Sequence, residues 1–168
     1  MRLSRVLYLL IPACTFSACA PPATEQAAAP PVVDSAAVRA AVADLWVRWS
    51  GADTAGNVAA IVEMVTDSVR VDIPGMPPIL GRASWKAAAE AMYRQFKYDA
   101  LNMVPEQTLA VSNELAYQRG SFHQGNTDRS GKRSMEYERY ATAIRKDADG
   151  KWRLAYWMAF TDSTIAIK

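Results

Sequence analysis

The sequence predicts an α+β domain in which three helices pack on one face of a curved antiparallel sheet. Three segments with helical periodicity end by Phe96, and only strand-like segments follow from Leu101 onwards. The last two strands, 132–146 and 151–162, give the strongest signal because Asp147–Gly150 between them is rich in turn-forming residues. Helices followed by antiparallel strands are typical of folds that place the helices on one side of a sheet.

The first 19 residues are predicted to form a signal peptide of the lipoprotein type. Arg2 and Arg5 precede an apolar run, Val6–Ile11, that is too short to span a bilayer. The segment's end, Phe16–Cys19, resembles a bacterial lipobox, and the resemblance implies that Cys19 becomes the acylated first residue. Two alternatives stay open: processing at Cys14, and an ordinary cleaved signal in which both cysteines are incidental.

Residues 20–33 are predicted to be a tether between the anchor and the domain. Four prolines in this stretch favour extended, solvated chain. A multiply acylated N-terminus anchors a protein stably to a membrane, so we expect an exported protein of the periplasm or cell envelope. Ala20 follows Cys19 where an aspartate is associated with inner-membrane retention, which favours the outer membrane of a Gram-negative cell.

Charge and composition exclude several classes of protein. The chain has 19 basic and 17 acidic residues, and the leader contains two arginines and no acids, so the remainder is near neutral. Nucleic-acid binding, which favours a clustered basic face, is not expected. Both cysteines lie in the leader and His123 is the single histidine, so neither a metal site nor a cofactor is expected in the domain.

Three helices are predicted between residues 34 and 96. Asp34 can cap a first helix over Ser35–Ser50, which Gly51 is expected to end. The second helix is predicted over Asn57–Val65 and the third over Arg82–Phe96. The first helix carries one apolar stripe at steps of four, three and four, formed by Val38, Val42, Leu45 and Trp49.

The strands are predicted from alternation of apolar and polar residues. Val69–Ile73 alternates over a short strand, and longer strands are expected over Leu101–Val111 and Glu114–Gln124. Pro105 indicates a sheet edge or a bulge in the first of these. The last strand, Trp152–Phe160, has bulky residues on both faces, which predicts helices on one side and a second subunit on the other. In strict alternation, Ala155 and Trp157 share one face, and the other carries Trp152, Leu154, Tyr156, Met158 and Phe160.

The order of these elements resembles the NTF2-like superfamily, and most closely its SnoaL-like and DUF4440-type bacterial domains. The matching pieces are Gly81-Arg82-Ala83 at the third helix and the run Asp149–Leu154 in the final hairpin. The resemblance spans Asp34 to Asp162, and the domain is assigned to residues 34–168. It implies a cone in which helices and a concave sheet enclose a pocket, and a homodimer formed through the outer sheet face.

Asp72 is the residue to which the resemblance assigns catalysis. In the ketosteroid isomerase branch of the superfamily, a proton-shuttling aspartate lies on the corresponding strand. Inside an apolar pocket, burial would raise the pKa of Asp72 towards that of a general base. Tyr140 is the candidate donor to an enolate oxygen, because Thr142, nearer the position of the isomerase donor, cannot serve. Alternatively, Asp72 lies with Arg70 on a solvated strand face.

Alternating polar residues on two strands predict the remaining pocket groups. One face carries Tyr117, Arg119, Ser121 and His123, and the other carries Glu136, Glu138 and Tyr140. If both faces are concave, Arg119 and Glu138 pair there, whereas His123 near the following turn is better explained as a surface residue. The aromatic residues are expected first in the core and second in the pocket wall. The predicted ligand-binding residues are Trp46, Trp85, Tyr93, Phe96, Tyr117, Arg119, Glu138 and Trp157.

Three functional hypotheses follow from the sequence. The first is an envelope-anchored domain that binds a small, mostly apolar organic ligand without catalysis. The second is a cofactor-free enzyme of SnoaL or ketosteroid isomerase type that uses Asp72 as its general base. The third is a dimeric scaffold or adaptor without a ligand. The sequence leaves the ligand, the reaction and the envelope partner open.

Overall fold

The structure is a computed structural model, and it describes residues 32–167. The predicted signal peptide, Cys19 and the tether up to residue 31 lie outside the described residues. Within residues 32–167, no helix has both the length and the apolarity that crossing a membrane requires.

Three helices and seven strands make up the described chain. The helices are α1 (Ser35–Ala55), α2 (Val58–Glu63) and α3 (Arg82–Gln95). The strands are β1 (Val65–Asp72), β2 (Ile79–Leu80), β3 (Phe96–Tyr98), β4 (Asn102–Ser112), β5 (Leu115–Asp128), β6 (Arg133–Lys146) and β7 (Trp152–Ile167).

The strands form one curled sheet in the order β2-β1-β7-β6-β5-β3, and β4 also pairs with β5. The pairing of β1 with β7 is parallel, and the other pairings are antiparallel. Strand β5 has two partners on one side, because β4 covers Leu115–His123 and β3 covers Asn126–Asp128. The predicted α+β layout, with helices before a mainly antiparallel sheet, is therefore confirmed.

Helix α1 begins where predicted and ends one turn later than predicted. The Asp34 side chain accepts a hydrogen bond of 3.0 Å from the N–H of Ala37. The expected stop at Gly51 was wrong, since the helix continues to Ala55 and ends at Gly56, whose φ of 61° is left-handed. Glycine inside a helix costs only about 1 kcal/mol relative to alanine, which the packing of this helix outweighs. The added turn brings Asp53 into the interior of the domain.

The core lies between the helices and the concave face of the sheet. The predicted stripe of α1 is buried, with Val42 and Leu45 completely inaccessible to solvent. Each fully buried side chain of this size contributes about 1.5–3 kcal/mol through the hydrophobic effect. Their counterparts from α2 and the sheet are Ile61, Val65, Val69, Val71, Ile144 and Leu154.

A β-bulge in β7 changes which side chains face inwards. Leu154 and Tyr156 pair with consecutive residues of β6, so Ala155 between them has no partner. The inserted residue shifts the alternation. Leu154 and Trp157 therefore both contribute to the interior, while Phe160 is exposed on the outer face. The prediction of one uninterrupted alternation along this strand was wrong for this reason.

The predicted hairpin turn is present between β6 and β7. The N–H of Gly150 donates to the carbonyl of Asp147 over 2.9 Å, and Gly150 has a left-handed φ of 78°. Arg153 closes the hairpin through two 2.7 Å hydrogen bonds to Asp149, and its Nε also donates to the carbonyl of Glu63 at the end of α2. Arg153 thus joins the turn to the helical layer.

Candidate functional site

A cavity of about 250 Å³ lies between the helices and the concave side of the sheet. Aromatic side chains from both layers form most of its wall, and polar side chains are interspersed among them. The aromatic residues are Trp46, Trp49, Trp85, Tyr93, Tyr98, Phe122 and Trp157. The polar residues are Asp53, Gln124, Glu136 and Glu138, and the aliphatic residues are Ile61, Ile73, Met76, Met92, Leu101 and Ala159.

The aromatic wall is held together by edge-to-face contacts. The rings of Trp46 and Trp157 are 5.6 Å apart at 62°, a geometry that aromatic pairs prefer. The indole N–H of Trp46 donates to Gln118 over 2.7 Å, and the hydroxyl of Tyr140 donates to the same oxygen over 2.9 Å. These buried hydrogen bonds fix one end of the wall.

Asp53 is the most deeply buried acid of the cavity. The carboxylate accepts hydrogen bonds from the Tyr93 hydroxyl and, over 2.9 Å, from the Gln124 side-chain amide. Both donors are uncharged, and Asp53 forms no ion pair within the described part of the chain. Burial raises the pKa of Asp53 above its ordinary value, although both hydrogen bonds oppose this change. Burial also raises the pKa of Tyr93, which keeps it a donor.

Glu136 and Glu138 project from alternate positions of β6 into the same cavity. Burial raises the pKa of Glu138 to about 7, and the negative charges of Glu136 and Asp162 contribute to the change. A carboxyl group with this pKa is about half protonated at neutral pH. It can therefore either accept or donate a proton there.

The negative charges of Asp53, Glu136 and Glu138 all affect the pKa of Tyr98. Burial raises the pKa of Tyr98, and together with the charges of Glu136, Asp53 and Glu138 it brings this pKa to about 12. Its ring packs edge-on against Tyr93 at 5.1 Å. The hydroxyl of Tyr98 consequently remains protonated at physiological pH.

One polar group in the wall has no partner. The indole N–H of Trp85 is buried, and no hydrogen-bond acceptor contacts it among residues 32–167. Trp85 is only 7% exposed. A buried donor without an acceptor costs about 1–3 kcal/mol, so an acceptor atom supplied by a ligand would be favourable there.

The structure places five of the predicted ligand-binding residues at the cavity: Trp46, Trp85, Tyr93, Glu138 and Trp157. The other three lie elsewhere. Tyr117 is 50% exposed. The Nε of Arg119 donates a 3.3 Å hydrogen bond to the side chain of Gln107, and Arg119 does not pair with Glu138. In the alternation of β5, Gln118 and Phe122 are buried on the inward side, whereas Tyr117 and Arg119 are exposed on the opposite side. Phe96, at the junction of α3 and β3, lies outside the cavity lining.

The two predicted catalytic residues also lie outside the cavity lining. Asp72 accepts a 2.8 Å hydrogen bond from Arg70, and this contact lowers its pKa. The expected rise in pKa was therefore wrong, and the pairing with Arg70 agrees with the alternative interpretation. Tyr140 is buried behind the aromatic wall, where it stacks on Trp157 at 5.2 Å. His123 stacks on Tyr137, which is exposed on the outer face.

Sequence reasoning missed three polar or phenolic residues of the cavity. For Asp53 a signal existed, because Trp46, Trp49 and Asp53 continue the helical steps of three and four beyond Gly51. The other two, Tyr98 and Gln124, had no signal of this kind, since their roles depend on how β3 and β5 meet in space. No three His, Cys, Asp or Glu side chains in the described chain converge closely enough to hold a metal ion.

The profile of the SnoaL-like domain matches residues 34–158 of this sequence. The chain belongs to the SnoaL-like family. The match includes all three helices and most of the strands that line the cavity, from α1 to the middle of β7. No relative among curated proteins matches the sequence significantly.

Solved structures show the same fold as this SnoaL-like domain. A ketosteroid isomerase-like protein from Erwinia carotovora atroseptica superposes with a TM-score of 0.65 at 18% identity, over 74% of this chain and 95% of the other. A putative scytalone dehydratase from Novosphingobium aromaticivorans superposes with a TM-score of 0.71 at 15% identity, over 79% of this chain and 89% of the other. A hexachlorocyclohexane dehydrochlorinase from Novosphingobium barchaimii has a TM-score of 0.65 and 13% identity, and the superposition covers 79% of this chain and 91% of the other. The predicted NTF2-like cone is thereby confirmed.

Proposed function

We propose that this SnoaL-like domain binds a small, mostly apolar organic molecule in its aromatic cavity. The carrying observation is the cavity itself, a mainly apolar hollow of about 250 Å³ whose lining includes three acids and two tyrosines. Small-molecule sites in proteins are usually built in this way, with apolar walls and a few placed polar groups. The scaffold hypothesis requires no such hollow.

Mass spectrometry of small molecules that co-purify with the protein tests this function. The wild-type protein is expected to retain a compound that is lost from Met92→Trp, because the larger ring occupies the cavity that Met92 lines. Leu109→Trp is the matched control, since Leu109 is 53% exposed outside this cavity. If both variants retain the same compounds as the wild type, the cavity is not the binding site.

A second candidate function is cofactor-free acid–base catalysis on the same ligand. Glu138, with a pKa of about 7, favours it, because an effective general acid or base titrates near the working pH. Glu138 replaces Asp72 in this role. Solved structures with this fold include proteins described as a putative scytalone dehydratase and a hexachlorocyclohexane dehydrochlorinase.

The catalytic candidate makes a definite prediction for variants. With a ligand that is turned over, Glu138→Gln is expected to reduce kcat by about 10²–10⁴, the usual contribution of one general acid or base. Asp72→Asn is expected to leave kcat unchanged, because Asp72 lies outside the cavity lining and bonds Arg70. Equal kcat values for Glu138→Gln and the wild type would remove the catalytic role of Glu138.

We also propose that the domain is held at the cell envelope by acylation of Cys19. The support is the basic start, the apolar run and the small residues before the cysteine. Cys19→Ala is expected to move the protein from the membrane fraction to the soluble fraction of cells. Cys14→Ala is the matched control and should remain with the membrane. The reverse outcome would assign the processed cysteine to position 14.

We further propose that the domain forms a homodimer through the outer face of its sheet. Apolar side chains are exposed along this face, among them Leu109, Val111, Tyr117 and Phe160, which are between 44% and 53% exposed. An apolar patch of several adjacent strands is typical of a protein interface. Light scattering on the purified protein is expected to give twice the mass of one chain, and a monomer at micromolar concentration contradicts this assembly.

A further inference from the structure

We propose that the ligand of this cavity is an organic cation, such as a protonated amine or a quaternary ammonium group on an apolar body. The inference rests on the proposed function and adds the charge class of the ligand. It is carried by the charges of the lining side chains, by the environment of Asp53 and by the aromatic wall.

The charges that line the cavity are all negative. Asp53 enters from α1, and Glu136 and Glu138 enter from β6. Lys, Arg and His do not occur among the lining side chains of the described structure. An anionic ligand would be placed beside three acids without a compensating cation, whereas a cationic ligand is attracted by each of them.

Among residues 32–167, no positively charged side chain pairs with Asp53, although buried acids normally have such a partner. Asp53 is 6% exposed, and its two hydrogen-bond donors, Tyr93 and Gln124, are neutral. An ionised carboxylate in an apolar interior is costly unless a cation or a metal compensates for it. A neutral ligand would leave this cost in place. A cationic group on the ligand would supply the missing charge.

The aromatic wall is suited to the rest of such a ligand and to its charge. The faces of tryptophan and tyrosine rings attract cations, and aromatic cages are a recurring site for quaternary ammonium groups. The charges of Asp53, Glu136 and Glu138 all raise the pKa of Tyr98, so the electrostatic potential beside this aromatic ring is negative.

Proton release should accompany binding of the cation. The other titratable groups of the cavity lining are Asp53 from α1, Tyr93 from α3, Tyr98 from β3 and Glu136 from β6. The charges of Glu136 and of Asp162 in β7 act on Glu138. The tyrosines remain protonated near neutral pH, and the acids all favour a bound cation when ionised. A cation therefore lowers the pKa of Glu138, and affinity should fall by up to about tenfold per pH unit below pH 7 if one proton is linked.

A matched pair of probes tests the charge of the ligand. Phenyltrimethylammonium and tert-butylbenzene have the same shape, and they differ only in a charged nitrogen in place of a carbon. Binding can be followed by tryptophan fluorescence, because four of the five tryptophans line the cavity. At pH 8 the cation is expected to bind at least tenfold more tightly than the neutral probe, and this preference should shrink at pH 6.

Variants locate the effect within the cavity. Glu138→Gln is expected to weaken binding of the cation about tenfold and to leave binding of tert-butylbenzene unchanged. Glu114→Gln, in the exposed turn between β4 and β5, is the control and should behave as the wild type. Should Glu138→Gln fail to fold, the pH dependence of the wild-type protein still provides the test.

The outcomes separate the two proposals. Equal or tighter binding of the neutral probe overturns the cationic ligand and leaves the proposed apolar site intact. A preference for the cation that persists unchanged at pH 6 or in Glu138→Gln also overturns the assignment to these acids. Failure of both probes to bind at millimolar concentration contradicts small-molecule binding by the cavity, and the inference fails with it.

Discussion

Replacing Gly120 with alanine is expected to lower the free energy of unfolding by about 3 kcal/mol, the upper part of the usual range for overpacking. Gly120 lies in β5 opposite Pro105, where β4 changes register. An added Cβ would lie 2.3 Å from the carbonyl oxygen of Val104 and 2.9 Å from the Cα of Pro105. Both are backbone atoms, so they can move only if β4 shifts on β5.

Gly51→Ala is the matched control, because the chemical change is identical. No atom lies within 4 Å of a Cβ added to Gly51, which is in the interior of α1. Alanine is favoured over glycine in a helix, so this variant should be more stable by about 0.5–1 kcal/mol. Urea denaturation measures both changes. Changes of the same sign for Gly51→Ala and Gly120→Ala would contradict the close approach of β4 to β5.

Glu138→Gln is expected to raise the free energy of unfolding at pH 8 by about 1–2 kcal/mol. The pKa of Glu138 is about 7 in the folded protein, compared with an ordinary value of 4.5. Below pH 4.5 the group is protonated in both states and has no effect. As pH rises from 4.5 to 7, ionisation favours the unfolded state, so stability is lost. Because Glu138 is only partly buried, solvent screens its charge and reduces the effect.

The measurement is the free energy of unfolding of both proteins between pH 4.5 and 8. The curves should nearly coincide at pH 4.5 and separate steadily up to pH 7, with the variant more stable. Glu114→Gln again serves as the control, and it should follow the wild type throughout. A wild-type protein that is as stable as Glu138→Gln at pH 8 would contradict the raised pKa.

Most of the fold could be predicted from local patterns in the sequence. The final hairpin followed from turn chemistry at Asp147–Gly150, and the helices followed from apolar residues at steps of three and four. The error at Gly51 has a physical explanation. Glycine ends a helix where the chain needs a left-handed residue, as at Gly56. At Gly51 the helix continues, because burial of Trp46 and Trp49 stabilises it.

The site was less predictable because it depends on how strands meet. One inserted residue at Ala155 moves Trp157 to the interior, and the sequence of β7 contains no local signal for it. The inward face of β5 could not be chosen from alternation alone, so Tyr117 and Arg119 were assigned to the wrong side. Glu138 was found because it alternates with Tyr140 on β6, whereas Asp72 was singled out by resemblance and not by its surroundings.

The most direct test of the central claim, that the aromatic cavity is a small-molecule site, uses the five indole N–H signals in a ¹H–¹⁵N NMR spectrum. The signals of Trp46, Trp49, Trp85 and Trp157 report on the cavity wall, while Trp152 lies outside the lining. On titration with phenyltrimethylammonium, the four cavity signals should shift together and reach saturation, and the signal of Trp152 should remain unchanged. Shifts confined to Trp152, or four cavity signals that do not move with any of a series of small aromatic and aliphatic probes, would contradict the claim.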